Sequence, residues 1–287
     1  MDSKLAPSGP ILSQRRPARR LWLRVLAAAA LLAALAWAAA TAALWLQQEA
    51  LLFHPVPLPA DAPLASAPDV QEHFVDVPGA RLSVLQLRLP APRGVVFFLH
   101  GNGDNLQTWF VNTDFYRWAG FDLVMMDYRG YGKSTGRIES EAQLHADVEA
   151  VWRSVAPRYQ GLHLVLYGRS LGTGLAAALA TQLQPDLTVL VSPYLSLAAL
   201  AREHYPWVPP QIVRYPLRSD LAVARIRSPL LIVHGDRDTL IPMTHAERLQ
   251  ALAPAAQLVR IAGAGHGDVH EFPAYKQLLA DALGALH

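Results

Sequence analysis

Apolar positions fall along this chain in three rhythms, and each predicts a different element. From Val25 to Leu46 run 22 residues without a charge, rich in Ala and Leu and including Trp37, Thr41 and Trp45. At about 1.5 Å per residue such a helix spans a hydrocarbon core of roughly 30 Å, so residues 25–46 are expected to form a transmembrane signal anchor. Residues 47–69 lose that pattern. Pro55, Pro57, Pro59, Pro63 and Pro68 predict an extended tether, although its start, Leu51-Leu52-Phe53, is apolar enough to lie on lipid or on the next domain. From about residue 70 short apolar runs appear at 81–88, 94–99, 121–126, 162–167, 187–191, 229–233 and 257–261. Several are apolar on both faces, which predicts strands of a mostly parallel sheet buried on both sides.

Helical spacing fills the gaps between these runs. Leu144, Val148, Val151, Trp152 and Val155 recur behind a Ser140-x-x-Gln143 capping box and predict a helix over 140–156. Further helices are expected at 171–184, through the small residues Ala176-Ala177-Ala178, and at 273–285. Strands alternating with helices over 70–287 predict an α/β domain with helices on both faces of the sheet. Ligands then bind beyond the carboxyl ends of the strands.

Composition adjusts this picture at the N-terminus. With 287 residues and 52% hydrophobic content, one large domain plus an appendage is the economical count. Lys4, Arg15, Arg16, Arg19, Arg20 and Arg24 against Asp2 give residues 1–24 a balance of +5, whereas the whole chain stands at +2. The remainder is therefore at −3, and nucleic-acid binding, which needs a basic face on the folded domain, is not expected. The same arginines put the basic segment 1–24 in the cytoplasm and the domain across the membrane, in the periplasm if the chain is bacterial. A cleaved signal peptide is the alternative, with Ala40-Thr41-Ala42 as small residues of the cleavage type, but the apolar run is longer than a signal core. The chain contains no cysteine, which rules out disulfides, thiolate metal sites and a thiol nucleophile.

Candidate chemistry centres on Gly168-Arg169-Ser170-Leu171-Gly172, which directly follows one predicted strand and directly precedes a helix. A sharp strand-to-helix turn lifts a serine hydroxyl above the sheet, and flanking glycines avoid collisions there. Such a hydroxyl needs an imidazole to take its proton and a carboxylate to orient that imidazole. Later strand ends supply both: His234-Gly235-Asp236-Arg237-Asp238 and Gly263-Ala264-Gly265-His266. His266, in a glycine-bracketed loop, is the expected base, whereas His245, His270 and His287 are expected in surface roles. Gly130-x-Gly132-Lys133-Ser134 lacks the spacing of a phosphate-binding P-loop, and His234 with Asp236 provides too few ligands for a metal. No cofactor is expected.

Over about 70–287 the sequence resembles the α/β-hydrolase superfamily, and most closely its membrane-anchored, serine-aminopeptidase-like branch. The resemblance is carried, in order, by His100-Gly101-Asn102-Gly103, Asp127-Tyr128-Arg129-Gly130-Tyr131-Gly132-Lys133-Ser134, Tyr167-Gly168-Arg169-Ser170-Leu171-Gly172, Ser192-Pro193-Tyr194 and His234-Gly235-x-x-Asp238. It implies a Ser170, Asp238 and His266 triad, with Asp238 preferred over Asp236 as the acid. It also implies that His100 is structural and that the backbone N–H groups of Leu171 and Asn102 form an oxyanion hole.

The stretch 193–227, with Tyr205-Pro206-Trp207-Val208-Pro209-Pro210, is expected to form a small cap that supplies an apolar pocket. The expected activity is hydrolysis of a carboxylic ester, thioester or other small acylated substrate through an acyl-enzyme on Ser170. Cleavage of small peptides by an aminopeptidase or amidase, or a non-catalytic binding role, are the alternatives.

Overall fold

The computed structural model describes residues 16–65 and 67–286. Arg16–Leu46 is one continuous helix, α1, a compact unit by itself. Its stretch Arg20–Leu46 has the length and apolarity of a membrane span or of a signal sequence, and no part of it is buried in protein. The second unit begins at Gln47.

That unit is built on eight strands: β1 (Val70–Val77), β2 (Ala80–Leu87), β3 (Gly94–Leu99), β4 (Phe121–Met126), β5 (His163–Arg169), β6 (Leu187–Val191), β7 (Leu230–Gly235) and β8 (Gln257–Ile261). They form one sheet in the order β1-β2-β4-β3-β5-β6-β7-β8. β1 and β2 pair antiparallel, as do β2 and β4; every other neighbouring pair is parallel. β3, β4, β6 and β7 are buried along their whole length, which explains why continuous apolar runs marked them. β1 carried no such mark. It lies at the sheet's edge and carries the polar run Gln71-Glu72-His73 and Asp76 among its apolar residues, and most of its positions are only half-buried.

Among the described residues, nine α-helices surround the sheet: α2 (Gln48–Leu52), α3 (Leu106–Trp109), α4 (Thr113–Ala119), α5 (Glu141–Val155), α6 (Leu171–Leu183), α7 (Leu197–His204), α8 (Ser219–Val223), α9 (Met243–Leu252) and α10 (Pro273–Gly284). At the start of α5 the Ser140 hydroxyl accepts from the Gln143 N–H at 3.1 Å. The Gln143 side chain reaches back one residue further than a standard capping box, to the Glu139 N–H at 2.8 Å. α6 is buried from Leu171 through Ala177 and packs on β5. Gly172 permits the close approach of α6 to the end of β3, because a Cβ there would lie 2.0 Å from the Leu99 carbonyl oxygen. Arg129 and Asp147, both nearly inaccessible, form a two-pronged ion pair at 2.6 and 2.8 Å that ties the loop after β4 to α5.

The stretch 47–69, expected as an extended tether, is instead laid against the domain. Gln48 is buried, donating to the Ile212 carbonyl at 2.7 Å and accepting from the Arg214 N–H at 2.8 Å. Phe53 and Leu64 are buried as well, Phe53 edge-on to Tyr215. Pro55 and Pro57 make isolated parallel bridges with Asp104 and Gly132. Prolines lack an N–H, so the bonds come from the residues between and after them, such as Leu58 N–H to the Gly132 carbonyl at 2.7 Å. Buried Gln48, Phe53 and Leu64, with the backbone bonds to the domain, thus make a strap of a proline-rich segment.

Candidate active site

Ser170 occupies the single residue between β5 and α6, with φ 50° and ψ −119°. A non-glycine residue there is strained by roughly 1–3 kcal/mol and persists only where its surroundings impose it. They do so here: the Ser170 N–H donates to the Val191 carbonyl at 2.9 Å, and its own carbonyl accepts from the Thr173 N–H and hydroxyl at 2.9 and 2.6 Å. A Cβ on Gly168 would come within 2.6 Å of the Gly172 carbonyl oxygen, so the turn closes only with glycine at that position.

The turn brings Ser170 Oγ to 2.9 Å from His266 Nε2, and His266 Nδ1 lies 2.8 Å from Asp238 Oδ2. The other oxygen of Asp238 accepts from the N–H groups of Leu240 and Ile241 at 3.0 and 2.8 Å. Burial raises the Asp238 pKa, but the His266 hydrogen bond, the Ile241 N–H and the nearby His266 and His234 outweigh it and hold the carboxyl below its ordinary value. An ionised carboxylate only accepts, so the His266 proton sits on Nδ1. Nε2 is left with a lone pair toward the Ser170 hydroxyl. Asp236 faces elsewhere: it is exposed and accepts from the Gly263 N–H at 2.7 Å, bracing the turn after β8.

Leu171 is the first residue of α6, where an N–H has no partner within the helix. The loop after β3 runs close by, since a Cβ on Gly101 would lie 3.4 Å from the Cβ of Ser170. Asn102 follows and lines the same cavity. His100, just before it, is fully buried, and burial lowers its pKa to about 4. Behind it burial pushes the Asp127 carboxyl up to about 8.

Ser170 and His266 open into a cavity of about 460 Å³. Phe98, Tyr116, Met125, Tyr167, Tyr275 and Leu279 give it an apolar interior, and Arg169, His270, Lys276 and Asp104 place polar groups on its lining. Residues 193–227 contribute nothing to that lining, contrary to the expectation of a pocket-forming cap; the walls come from 108–116 and 266–279. The insertion instead packs Tyr194 and Leu217 against α6, while Tyr205 and Trp207 stay exposed. The Tyr194 hydroxyl donates to the Leu171 carbonyl at 2.9 Å, and Tyr194, Tyr215 and Leu217 are buried.

Two histidines expected on the surface are not there. His245 is fully buried, accepting from the Leu195 N–H at 3.1 Å and lying 3.0 Å from Glu203, so it fastens the insertion to α9. His270 is half-buried on the cavity lining, its Nδ1 3.0 Å from the Arg169 guanidinium. Arg169 also donates to the Gly267 and His266 carbonyls at 2.8 and 3.3 Å, and so braces the loop that carries His266. Neither role had a periodic signal; the arginine inside the Gly-x-Ser-x-Gly stretch was the available hint. His234, likewise buried and kept neutral by burial, lies 2.7 Å from the Ile241 carbonyl and pins the Asp238 loop. His287 lies outside the described residues. Among the described residues, no three His, Asp or Glu side chains converge on a point where they could hold a metal ion.

Residues 90–218 match the family model described as serine aminopeptidase, S33. An uncharacterized protein of Mycobacterium tuberculosis is 37% identical over 155 residues, covering 52% of this chain; the chain thus spans about half of that relative, 54% of its length. Alpha/beta hydrolase domain-containing protein 17B of Xenopus laevis is 30% identical over 217 residues, 71% of this chain and 73% of that protein. Among solved structures, an esterase of Pyrococcus furiosus superposes with a TM-score of 0.64 at 17% identity, over 82% of this chain and 97% of its own. The thioesterase domain from the curacin biosynthetic pathway does so with a TM-score of 0.55 at 18% identity, over 75% and 98%.

Proposed function

The chain belongs to the α/β-hydrolase superfamily, and we propose that it is a serine hydrolase cleaving carboxylic esters or thioesters through an acyl-enzyme on Ser170. The observation that supports this is the unbroken line of hydrogen-bonding groups from Ser170 Oγ through His266 to Asp238, opening into an apolar cavity.

In this reading His266 Nε2 takes the Ser170 proton as Oγ attacks the substrate carbonyl. The carbonyl electrons move onto oxygen, where the N–H groups of Leu171 and Asn102 receive them. The resulting imidazolium is stabilised by Asp238 and hands its proton to the departing alkoxide or thiolate. Water then enters, gives one proton to the same nitrogen as it attacks the acyl carbon, and the imidazolium returns that proton to Ser170 Oγ as the acid leaves. The apolar interior suits an acyl chain, and the names of the esterase and thioesterase neighbours are in keeping with that substrate class. Amide cleavage of a short peptide is the second reading, favoured by the aminopeptidase family description and by Asp104, a carboxylate on the lining able to receive a substrate ammonium.

A fluorophosphonate probe tests the chemistry, because it captures an activated serine whatever the leaving group. Peptide mapping is expected to find the adduct on Ser170; folded protein that stays unlabelled there would sink the reading and favour a binding role. The same reading takes α1 as a single-pass anchor with its basic end in the cytoplasm and the catalytic domain extracytoplasmic. In sealed vesicles exposing the cytoplasmic face, added protease should leave residues 47–287 intact, and their digestion would reverse the orientation.

A further inference from the structure

The strap that follows α2 runs across the loop after β3 and bonds to it at successive residues. The His54 N–H donates to Asn102 Oδ1 at 3.0 Å, and Asn102 Nδ2 and His54 Nδ1 lie 2.8 Å apart. Beyond the Pro55–Asp104 bridge, the Val56 carbonyl accepts from the Asn105 side-chain amide at 2.9 Å and from the Gly132 N–H at 3.1 Å. The upstream end of the strap is fixed as well. Glu49 meets the Arg214 guanidinium at 2.6 Å and accepts from the Tyr215 hydroxyl at 2.7 Å.

Asn102 has only one consistent orientation in this setting. Its oxygen receives three donors: the His54 N–H, the Tyr131 hydroxyl at 2.8 Å and the Gly103 N–H at 2.9 Å. The amide nitrogen must then donate to His54 Nδ1, which acts as an acceptor with its proton on Nε2. Both ends of the Asn102 amide are thereby tied down, and with them the rotamer and the peptide plane at this residue. Three of the four bonds survive any change at position 54, since the His54 N–H belongs to the backbone. The fourth depends on the imidazole.

We propose that His54 is a positioning residue for the oxyanion loop: through the Asn102 side chain it holds the Asn102 backbone N–H at the place where negative charge develops on the substrate oxygen. This rests on the acyl-transfer reading of Ser170. His54 is absent from the cavity lining, so its loss leaves ground-state binding in place and weakens an interaction made only in the transition state. The signature is a fall in kcat at constant KM. Removing an oxyanion donor outright costs about 10²–10³-fold in kcat, and loosening one is expected to cost about tenfold.

The test compares the full-length chain with His54→Leu and His54→Asn, two side chains of nearly equal size. Only asparagine offers an acceptor where Nδ1 stood. With a 4-nitrophenyl ester as substrate, His54→Leu should lower kcat about tenfold with KM within about twofold, and His54→Asn should recover most of the loss. Fluorophosphonate labelling of Ser170 should slow in parallel, because the phosphonyl oxygen occupies the same hole. Equal rates for His54→Leu and the native chain, or equal losses in both variants, would overturn the proposal while leaving the Ser170 reading intact. A native chain that neither labels nor turns over ester overturns both.

Discussion

Ser170→Ala is expected to lower ester turnover by about 10⁴–10⁶-fold, and His266→Ala by a similar factor, with the double variant no slower than either. In the proposed mechanism the two side chains act on one proton across one 2.9 Å contact, so removing either already removes the event they share. In that mechanism, what survives is catalysis by the oxyanion hole and by binding to the rest of the cavity lining. The measurement is the initial rate with an activated ester on protein whose thermal unfolding matches that of the native chain. Losses that multiply in the double variant would mean that Ser170 and His266 work in separate steps, and the mechanism above would fall. The Ala side chain at 170 also relieves nothing in the backbone, because φ there is fixed by the Val191 and Thr173 contacts rather than by the hydroxyl.

The second large effect separates two aspartates only two residues apart. Asp238→Asn should reduce kcat by about 10⁴-fold, whereas Asp236→Asn should stay within a few-fold of native. An asparagine at 238 can present its NH₂ to His266 Nδ1, which stabilises the tautomer with the proton on Nε2 and turns the base away from its task. Asp236 only braces the Gly263 turn, and an asparagine oxygen can accept the same N–H. The sign of the pH effect follows from the direction of the Asp238 shift. The folded chain binds this proton less tightly than the unfolded one, so the Asp238 carboxylate contributes stability above the ordinary carboxylate range. That contribution is lost as pH falls through the lowered value. Equal rate losses at 236 and 238 would remove Asp238 from the mechanism.

Where burial is two-sided, the sequence was easy to read. β3, β4, β6 and β7 are continuous apolar runs because neither face meets water, and Leu144 through Val155 trace a helix because only one face of α5 does. Ser170, Asp238 and His266 stood out because each lies in or beside a glycine-rich turn after a strand, the place where the fold gathers ligand-binding groups. β1 was missed because an edge strand may stay polar, although Pro78-Gly79, with Gly79 at φ 76°, marks its hairpin with β2. Beyond its apolar start at Leu51-Leu52-Phe53, the strap was not legible, because prolines signal a loss of regular structure but say nothing about what Leu64 buries against. The cavity walls and the buried His245 depend on contacts between segments 42 to 50 residues apart or more, and no local pattern encodes those.

Much of the cavity wall draws on stretches of chain apart from those that carry the proposed reacting groups. Ser170 and Asp238 sit at strand ends locked by backbone bonds, whereas much of the wall comes from α3, α4 and α10, which lie on the outside of the sheet. Inheritance can therefore treat the two parts differently. Descendants of one ancestral gene could lengthen, narrow or recharge the wall residue by residue while the Ser-His-Asp frame passed unchanged. Kinship within such a lineage would then foretell the chemistry of a new member far better than its diet.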